Sequence, residues 1–222
     1  MNRKTRLLLV LPILFLGLNA YSQTRDAGLW VSGTLEKRLS NSFAVQLSQE
    51  VRMMENITEA ATVFTDLGLE YRITKPLKVS LHYRHLFDRR LDDTYERNSR
   101  FYADVSYKFK LSSFSLLLRE RMQATYEPFN SSNNINPEWY SRTKATFKLD
   151  LDRNWNPLVF AEAFTPITPS DYKYLDKLRY GAGFEWSIRK KHVLDLSYMI
   201  QSKFQDEPES DFIFVIGYTY SL

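Results

Sequence analysis

The sequence predicts an all-β chain: an antiparallel transmembrane β-barrel of about twelve strands, with ten as the alternative, preceded by a cleaved signal peptide. Three observations predict it. Apolar and polar residues alternate in segment after segment from residue 29 to the C-terminus. That period of two marks extended strands, because successive side chains point to opposite faces. The connections between segments are alternately short and long, as tight periplasmic turns and longer outer loops are in a barrel. The N-terminus carries an export signal and no anchor.

Taken in order, residues 1–22 form the signal. Arg3, Lys4 and Arg6 precede an apolar run over residues 7–18, broken only by Pro12 and Gly17, and small residues at Ala20 and Ser22 make a cleavage site after Ser22. The apolar run is shorter than the ~20 residues a spanning helix needs. Residues 23–222 are then one barrel domain. Three of the 30 Lys and Arg fall in the signal, leaving 27 against 26 Asp and Glu. The basic balance is thus discarded with the signal and is no evidence for nucleic-acid binding. The chain has no Cys, which excludes a disulfide framework, a thiolate metal site, a cysteine nucleophile and a lipoprotein anchor.

The strands follow. "LWVSGTLEKRL" sets Leu29, Val31, Leu35 and Leu39 against Ser32, Thr34, Glu36 and Arg38. "FAVQLSQEVRM" sets Phe43, Val45, Leu47 and Val51 against Gln46, Ser48, Glu50 and Arg52. "VFTDLGLEYRI" opposes Leu67, Leu69 and Tyr71 to Asp66, Glu70 and Arg72, and "LKVSLHYRHLF" opposes Val79, Leu81 and Tyr83 to Lys78, Ser80, His82 and Arg84. "FYADVSYKFKL" has one apolar face of Phe101, Ala103, Val105, Tyr107 and Phe109 and one wet face of Tyr102, Asp104, Ser106 and Lys108. "FSLLLRERM" and "WYSRTKATFKLDL" put Arg119, Arg121, Arg142, Lys144 and Lys148 on the wet side. "PLVFAEAFT" alternates least clearly, with Glu162 as its wet position. "LRYGAGFEWSI", "HVLDLSYMIQ" and "FIFVIGYTYSL" place Arg179, Glu185, Asp195 and Gly217 opposite rows of Leu, Phe, Trp, Tyr and Ile. These are eleven strand segments. Bacterial barrels have even strand numbers, so residues 23–29 are expected to add a twelfth strand or to thread the lumen, or else one of the eleven segments is not a strand.

A soluble sandwich would use the same alternation with the apolar face turned inward. Segment length decides for lipid. About ten residues at ~3.3 Å, tilted near 45°, rise ~23 Å, close to the ~25 Å apolar band of an outer-membrane barrel, whereas soluble strands usually have ~5–6 residues. The loop rhythm agrees: residues 40–42, 74–76, 112–113, 152–156 and 189–191 are short, while 55–60, 88–100, 127–138, 166–177 and 205–211 are longer. Aromatics gather near the ends of the apolar rows, at headgroup level. Glu120 falls on the lipid side of its strand. It is expected near the outer rim, where an acidic side chain costs ~0–1 kcal/mol, or turned by a bulge.

The segments "LSQEVRMMEN", "LGLEYRITKPLKVSLHYRH", "FYADVSYKFKL" and "LLLRERMQ" together resemble an uncharacterised outer-membrane barrel family of Bacteroidota, domain of unknown function 2490, over nearly all of the mature chain. The last six residues, "GYTYSL", resemble the C-terminal signal read by the outer-membrane assembly machinery, although Leu222 stands where an aromatic is favoured. The resemblance implies the Gram-negative outer membrane and a barrel, but no activity. The partners it implies are outer-membrane lipid, lipopolysaccharide and the assembly machinery. The oligomeric state stays open.

No catalytic, cofactor-binding or metal-ligating residue is assigned, and no cofactor. His82 and His85 lie three apart, hence on opposite faces of a strand, and cannot share one metal. A barrel lipid hydrolase of the kind with His followed two residues later by Ser needs both on one face; Arg84, Phe87 and Leu194 occupy those positions after His82, His85 and His192. The lumen-facing charges are the candidate site: Glu50, Arg52, Asp66, Glu70, Arg72, Arg84, Asp104, Arg119, Arg121, Arg142, Glu162, Arg179, Glu185 and Asp195. They form either a network that fills a narrow barrel or the lining of a small-solute path that favours anions. The role expected is structural or porin-like with a narrow or plugged lumen. The alternatives are an enzyme acting on outer-leaflet lipid and a loop-mediated adhesin or ligand-binding barrel. The acidic loop clusters Asp92, Asp93 and Glu96, and Asp206, Glu207, Glu209 and Asp211, read as solvated charge rather than as calcium bridges to lipopolysaccharide.

Overall fold

The computed structural model describes residues 25–128, 137–151, 154–168, 174–204 and 209–222. The signal peptide and its cleavage site lie outside the described residues. Eleven strands form: β1 (Arg25–Arg38), β2 (Phe43–Met54), β3 (Glu59–Arg72), β4 (Leu77–Arg89), β5 (Tyr95–Leu111), β6 (Phe114–Tyr126), β7 (Glu138–Leu149), β8 (Trp155–Pro166), β9 (Lys177–Arg189), β10 (His192–Lys203) and β11 (Glu209–Ser221). Each pairs with its neighbour in sequence, and β1 pairs with β11, so the sheet closes into a barrel. Closure leaves no edge strand, so the ladder can satisfy every strand N–H and C=O, which hydrocarbon requires.

Among the described residues the count is eleven, not the favoured twelve or the alternative ten. Residues 25–29 neither add a strand nor thread the lumen; they are the first turnless stretch of β1. The reason is topological. A meander with an odd number of strands brings its first and last strands together pointing the same way. Here β1 and β11 form a parallel ladder from Arg25↔Ser210 to Glu36↔Ser221, while every other pair is antiparallel. The alternation itself marks eleven segments; the even-number rule does not apply once closure is parallel.

The two faces of the wall have opposite chemistry, and their burial is inverted relative to a soluble protein. Leu81 is 64% exposed, Leu67 56% and Phe214 53% on the outside, whereas Asp66 is 5% and Glu162 4% exposed on the inside. Cross-strand register lines up outward rows such as Leu47↔Leu67, Leu67↔Tyr83 and Tyr83↔Phe101. Aromatic pairs mark both ends of this apolar band. Phe43 and Tyr71 (ring centroids 4.7 Å apart) and Phe114 and Phe147 (5.1 Å) lie toward the tight turns, Phe101 with Tyr126 (5.9 Å) lies toward the longer loops, and Tyr83 with Phe101 (5.0 Å) lies between, with Tyr83 at mid-strand in β4.

Glu120 faces outward as expected but is not at the rim. It lies at the midpoint of the 13-residue β6, in regular register with Val105 and Thr143, so no bulge turns it. Its carboxylate instead accepts hydrogen bonds from two hydroxyls of β7, from Ser141 and from Thr143 at 2.6 Å. The adjacent strand thus supplies partners for this outward-facing carboxylate.

Candidate functional site

The inward residues of β1 to β9 meet across the barrel and form a layer of arginines interleaved with aromatic rings. Arg121 lies over the Tyr102 ring at 3.7 Å, and Arg84 over Phe64 at 3.8 Å. Arg52 lies over Trp30 at 3.8 Å, and Arg142 over Phe164 at 4.3 Å. Arg179 bridges Trp30 (4.8 Å) and Phe164 (4.5 Å), Arg84 also reaches Tyr102 (5.4 Å), and Arg52 also reaches Phe64 (5.0 Å). The chain Arg121–Tyr102–Arg84–Phe64–Arg52–Trp30–Arg179–Phe164–Arg142 is therefore continuous. A planar, weakly hydrated guanidinium suits this stacking better than an ammonium, and out of water each such contact contributes up to about 2 kcal/mol.

Carboxylates anchor the belt. Asp104 takes both Arg121 donors, each at 2.7 Å, in a fork-to-fork pair. Arg84 Nε donates to Asp66 at 2.8 Å and Arg52 Nε to Glu50 at 2.7 Å. Glu162 is the hub of the other half: Arg119 donates to it at 2.5 Å and Arg142 at 2.8 Å, and Arg179 stands 3.9 Å away. Ten of the fourteen lumen residues named from sequence belong to this layer. The other four do not: Glu70 pairs with Lys78 at 2.9 Å and Glu185 with Lys148 at 3.0 Å; Asp195 lies beside Glu185, and Arg72 beside Lys78, in register. These stand nearer the tight-turn end.

Sequence reasoning put Tyr102 on the wet face but missed the other rings and the stacking. Trp30, Phe64, Tyr102 and Phe164 all sit on the charged side of their strands. An aromatic breaking the wet row next to arginines is the signal that finds them. Toward the long-loop end the described lumen residues are closely packed. Phe64 and Leu86 are each 2% exposed and Ile213 0%. Around them Gln201 donates to Asp211 at 2.6 Å, Asn98 to Asp88 at 3.0 Å and Arg100 to Thr125 at 2.9 Å.

Toward the tight-turn end the lumen is open. One chamber of about 510 Å³ runs from the Arg84–Asp66–Arg121 side of the belt to Lys75 and Pro76 in the β3–β4 turn. A second, of about 370 Å³, lies between the belt and Asp195. Glu50, Arg84, Arg119 and Arg121 line both, so the two adjoin. Arg119 Nε is buried there without a hydrogen-bond partner.

In the first chamber His82 is held by three strands. Its Nδ1 lies 2.9 Å from Asp66 Oδ1, its Nε2 lies 3.0 Å from Ser80 Oγ, and its ring stacks on Tyr102 with centroids 4.5 Å apart. The ring occupies the space opposite Gly68, where a Cβ would stand 2.5 Å from Nδ1. A side chain at residue 68 would displace the imidazole. The other histidines face outward: His85 packs edge-on against Phe87, and His192 contacts the Tyr218 hydroxyl at 2.6 Å. His82 and His85 are thus separated by the barrel wall, as their spacing requires.

The loop clusters are paired internally. Arg89 bridges Glu55, Glu59 and Asp93, and Arg90 pairs with Glu96. The Thr94 hydroxyl, which donates to Asp92 at 2.6 Å, holds that exposed carboxyl below its ordinary pKa. Asp206 and Glu207 lie outside the described residues; Asp211 faces Lys203 at 3.2 Å.

Comparison with known proteins bears on this geometry at two levels. Among solved structures the chain is similar to the β domain of the Bordetella autotransporter BrkA, at 12% identity and a TM-score of 0.53, over 83% of this chain and 86% of that one. That likeness is one of fold. Comparison with curated proteins gives no match. The family model described as "Protein of unknown function (DUF2490)" matches residues 27–211, nearly the whole barrel, and the chain belongs to that family.

Proposed function

We propose that this protein is a bacterial outer-membrane barrel whose lumen is plugged rather than conducting. Its role is structural, and it keeps a polar chamber open to the periplasm. The observation that carries the reading is the asymmetry of the lumen. Among the described residues, apolar and hydrogen-bonded side chains pack the long-loop half, an arginine–aromatic belt crosses the middle, and the two chambers lie on the tight-turn side. The outward apolar rows and their aromatic ends support residence in a bilayer. The likeness to an autotransporter β domain supports the same setting. An ion crossing the lumen would have to break several buried ion pairs at once, each backed by a stacked ring.

Planar-bilayer recording of the purified mature barrel tests this. The expected trace is silent at moderate voltage. Regular conductance steps that Arg119→Glu alters in size or ion preference would establish a solute path instead.

A further inference from the structure

We infer that Ser80, His82 and Asp66 form a nucleophile, a general base and a positioning carboxylate for ester hydrolysis inside the periplasm-facing chamber, acting on acyl esters that carry a negative charge. This goes beyond the plugged-barrel reading and relies on it only for access from the tight-turn end.

The hydrogen bonds fix the protonation pattern. An ionised Asp66 only accepts, so His82 Nδ1 carries the proton and donates it at 2.9 Å. Nε2 is then the bare nitrogen, and the Ser80 hydroxyl, 3.0 Å away, donates to it. That is the tautomer a serine nucleophile needs from its base. Asp66 is fixed in turn by Arg84 Nε at 2.8 Å and the Tyr102 hydroxyl at 2.6 Å, both on its second oxygen. The imidazole is clamped between the Tyr102 ring and the vacant side of Gly68. Ser80 and His82 lie two residues apart on one strand and so share its inner face, while Asp66 comes from the adjacent strand. The order is the reverse of the His-x-Ser spacing sought in the sequence, and "Ser-Leu-His" at residues 80–82 is the signal that finds it.

The chemistry balances with water as the only co-reactant. Ser80 Oγ bonds to the ester carbonyl carbon as its proton passes to His82 Nε2. The C–O bond to the leaving alcohol then breaks, and His82 returns the proton to the departing oxygen. Water attacks the acyl-Ser80 ester, gives its proton to His82, and the acid leaves as Ser80 recovers its hydrogen. Strand N–H groups are committed to the ladder, so side-chain donors must meet the oxyanion. Arg119, with its unpartnered Nε–H, lines the same chamber, as does Lys108. Six Lys and Arg against four Asp and Glu line this chamber, which favours an anionic acyl or alcohol part.

The test uses the full mature barrel in detergent, with folding checked by heat-dependent gel mobility. A fluorophosphonate probe should label one residue, Ser80, and mono-p-nitrophenyl adipate should turn over faster than the neutral butyrate ester, each rate taken above its uncatalysed background. Ser80→Ala should abolish labelling and turnover, and His82→Gln should lower turnover about 10²–10⁴-fold. Gly68→Ala, which removes no charge, should lose turnover by displacing the ring while the barrel stays folded. Asp66→Asn should lower kcat about 10⁴-fold with KM kept, because an amide reverses the tautomer. Ser99→Ala on the outer face should change nothing. A folded barrel that takes no phosphonate, or that hydrolyses either ester as well with Ser80→Ala as without it, overturns the assignment and leaves the cluster as packing.

Discussion

Replacing Glu162 with Gln is expected to destabilise the barrel by about 3–5 kcal/mol, the cost of leaving buried charge uncompensated. Glu162 is 4% exposed, and it is the carboxylate on which Arg119 and Arg142 both close, at 2.5 and 2.8 Å, with Arg179 at 3.9 Å. Without its charge these guanidinium groups face one another across the belt. Arg179 keeps a second anchor, donating to Gln201 at 2.7 Å, and Arg142 keeps Gln123 at 3.1 Å; Arg119 has no comparable fallback. Removing one of the opposed cations should therefore recover part of the loss, and Glu162→Gln with Arg142→Met should be more stable than Glu162→Gln alone. Reversible denaturant unfolding from lipid vesicles gives both numbers. A loss under about 1 kcal/mol, the usual value of an exposed pair, would mean that water reaches the belt from both ends.

Leu67→Arg is expected to cost about 2–4 kcal/mol in the same assay, the penalty for a cation near the bilayer midplane on the lipid face of a barrel. Leu67 sits mid-strand in β3, between Leu47 and Tyr83 in the outward rows, and is 56% exposed. The sign of this prediction separates two physical worlds. On a water-facing surface the same substitution at so exposed a position would fall within about 0.5 kcal/mol of neutral. In hydrocarbon the guanidinium must be dehydrated or must drag water and headgroups inward.

Which parts of this were legible in the sequence follows from what alternation can and cannot encode. A period of two states which side chains share a face, and so it puts Asp104, Arg121, Arg142 and Glu162 together on the inner face. Segment length and loop rhythm then point to lipid as the solvent of the other face. Alternation does not encode closure. The parallel pairing of β1 with β11 depends on strand directions around the whole ring, and a rule about even counts displaced the eleven segments the pattern itself marks. Nor does it encode height: Glu120 was on the right face but half a strand from the expected rim, because the tilt and stagger of neighbouring strands set its depth. The belt was only half visible. Its charges stand out in the wet rows, whereas Phe64 and Phe164 carry no charge to mark them, and only the arginines stacked on them give them a role. His82 shows the limit of a motif. Ser80 and His82 share one face by their spacing, but a His-x-Ser pattern does not cover the reverse order, and Asp66, sixteen residues before His82, is brought to the ring by β3–β4 register alone.

The claim on which all of this depends is that the Leu and Phe rows meet lipid and the charged rows meet the lumen. Because the chain has no Cys, single cysteines can carry a nitroxide at any chosen site. Labels at Leu67 and Phe214, and at Ser32 and Gln46 on the opposite parity, should be compared in the reconstituted mature barrel for collision with oxygen dissolved in the bilayer and with a water-soluble nickel chelate. The account predicts strong oxygen and weak nickel relaxation at Leu67 and Phe214, and the reverse at Ser32 and Gln46. Oxygen-poor, immobilised labels at Leu67 and Phe214, in a protein that stays monomeric in plain buffer, would contradict it.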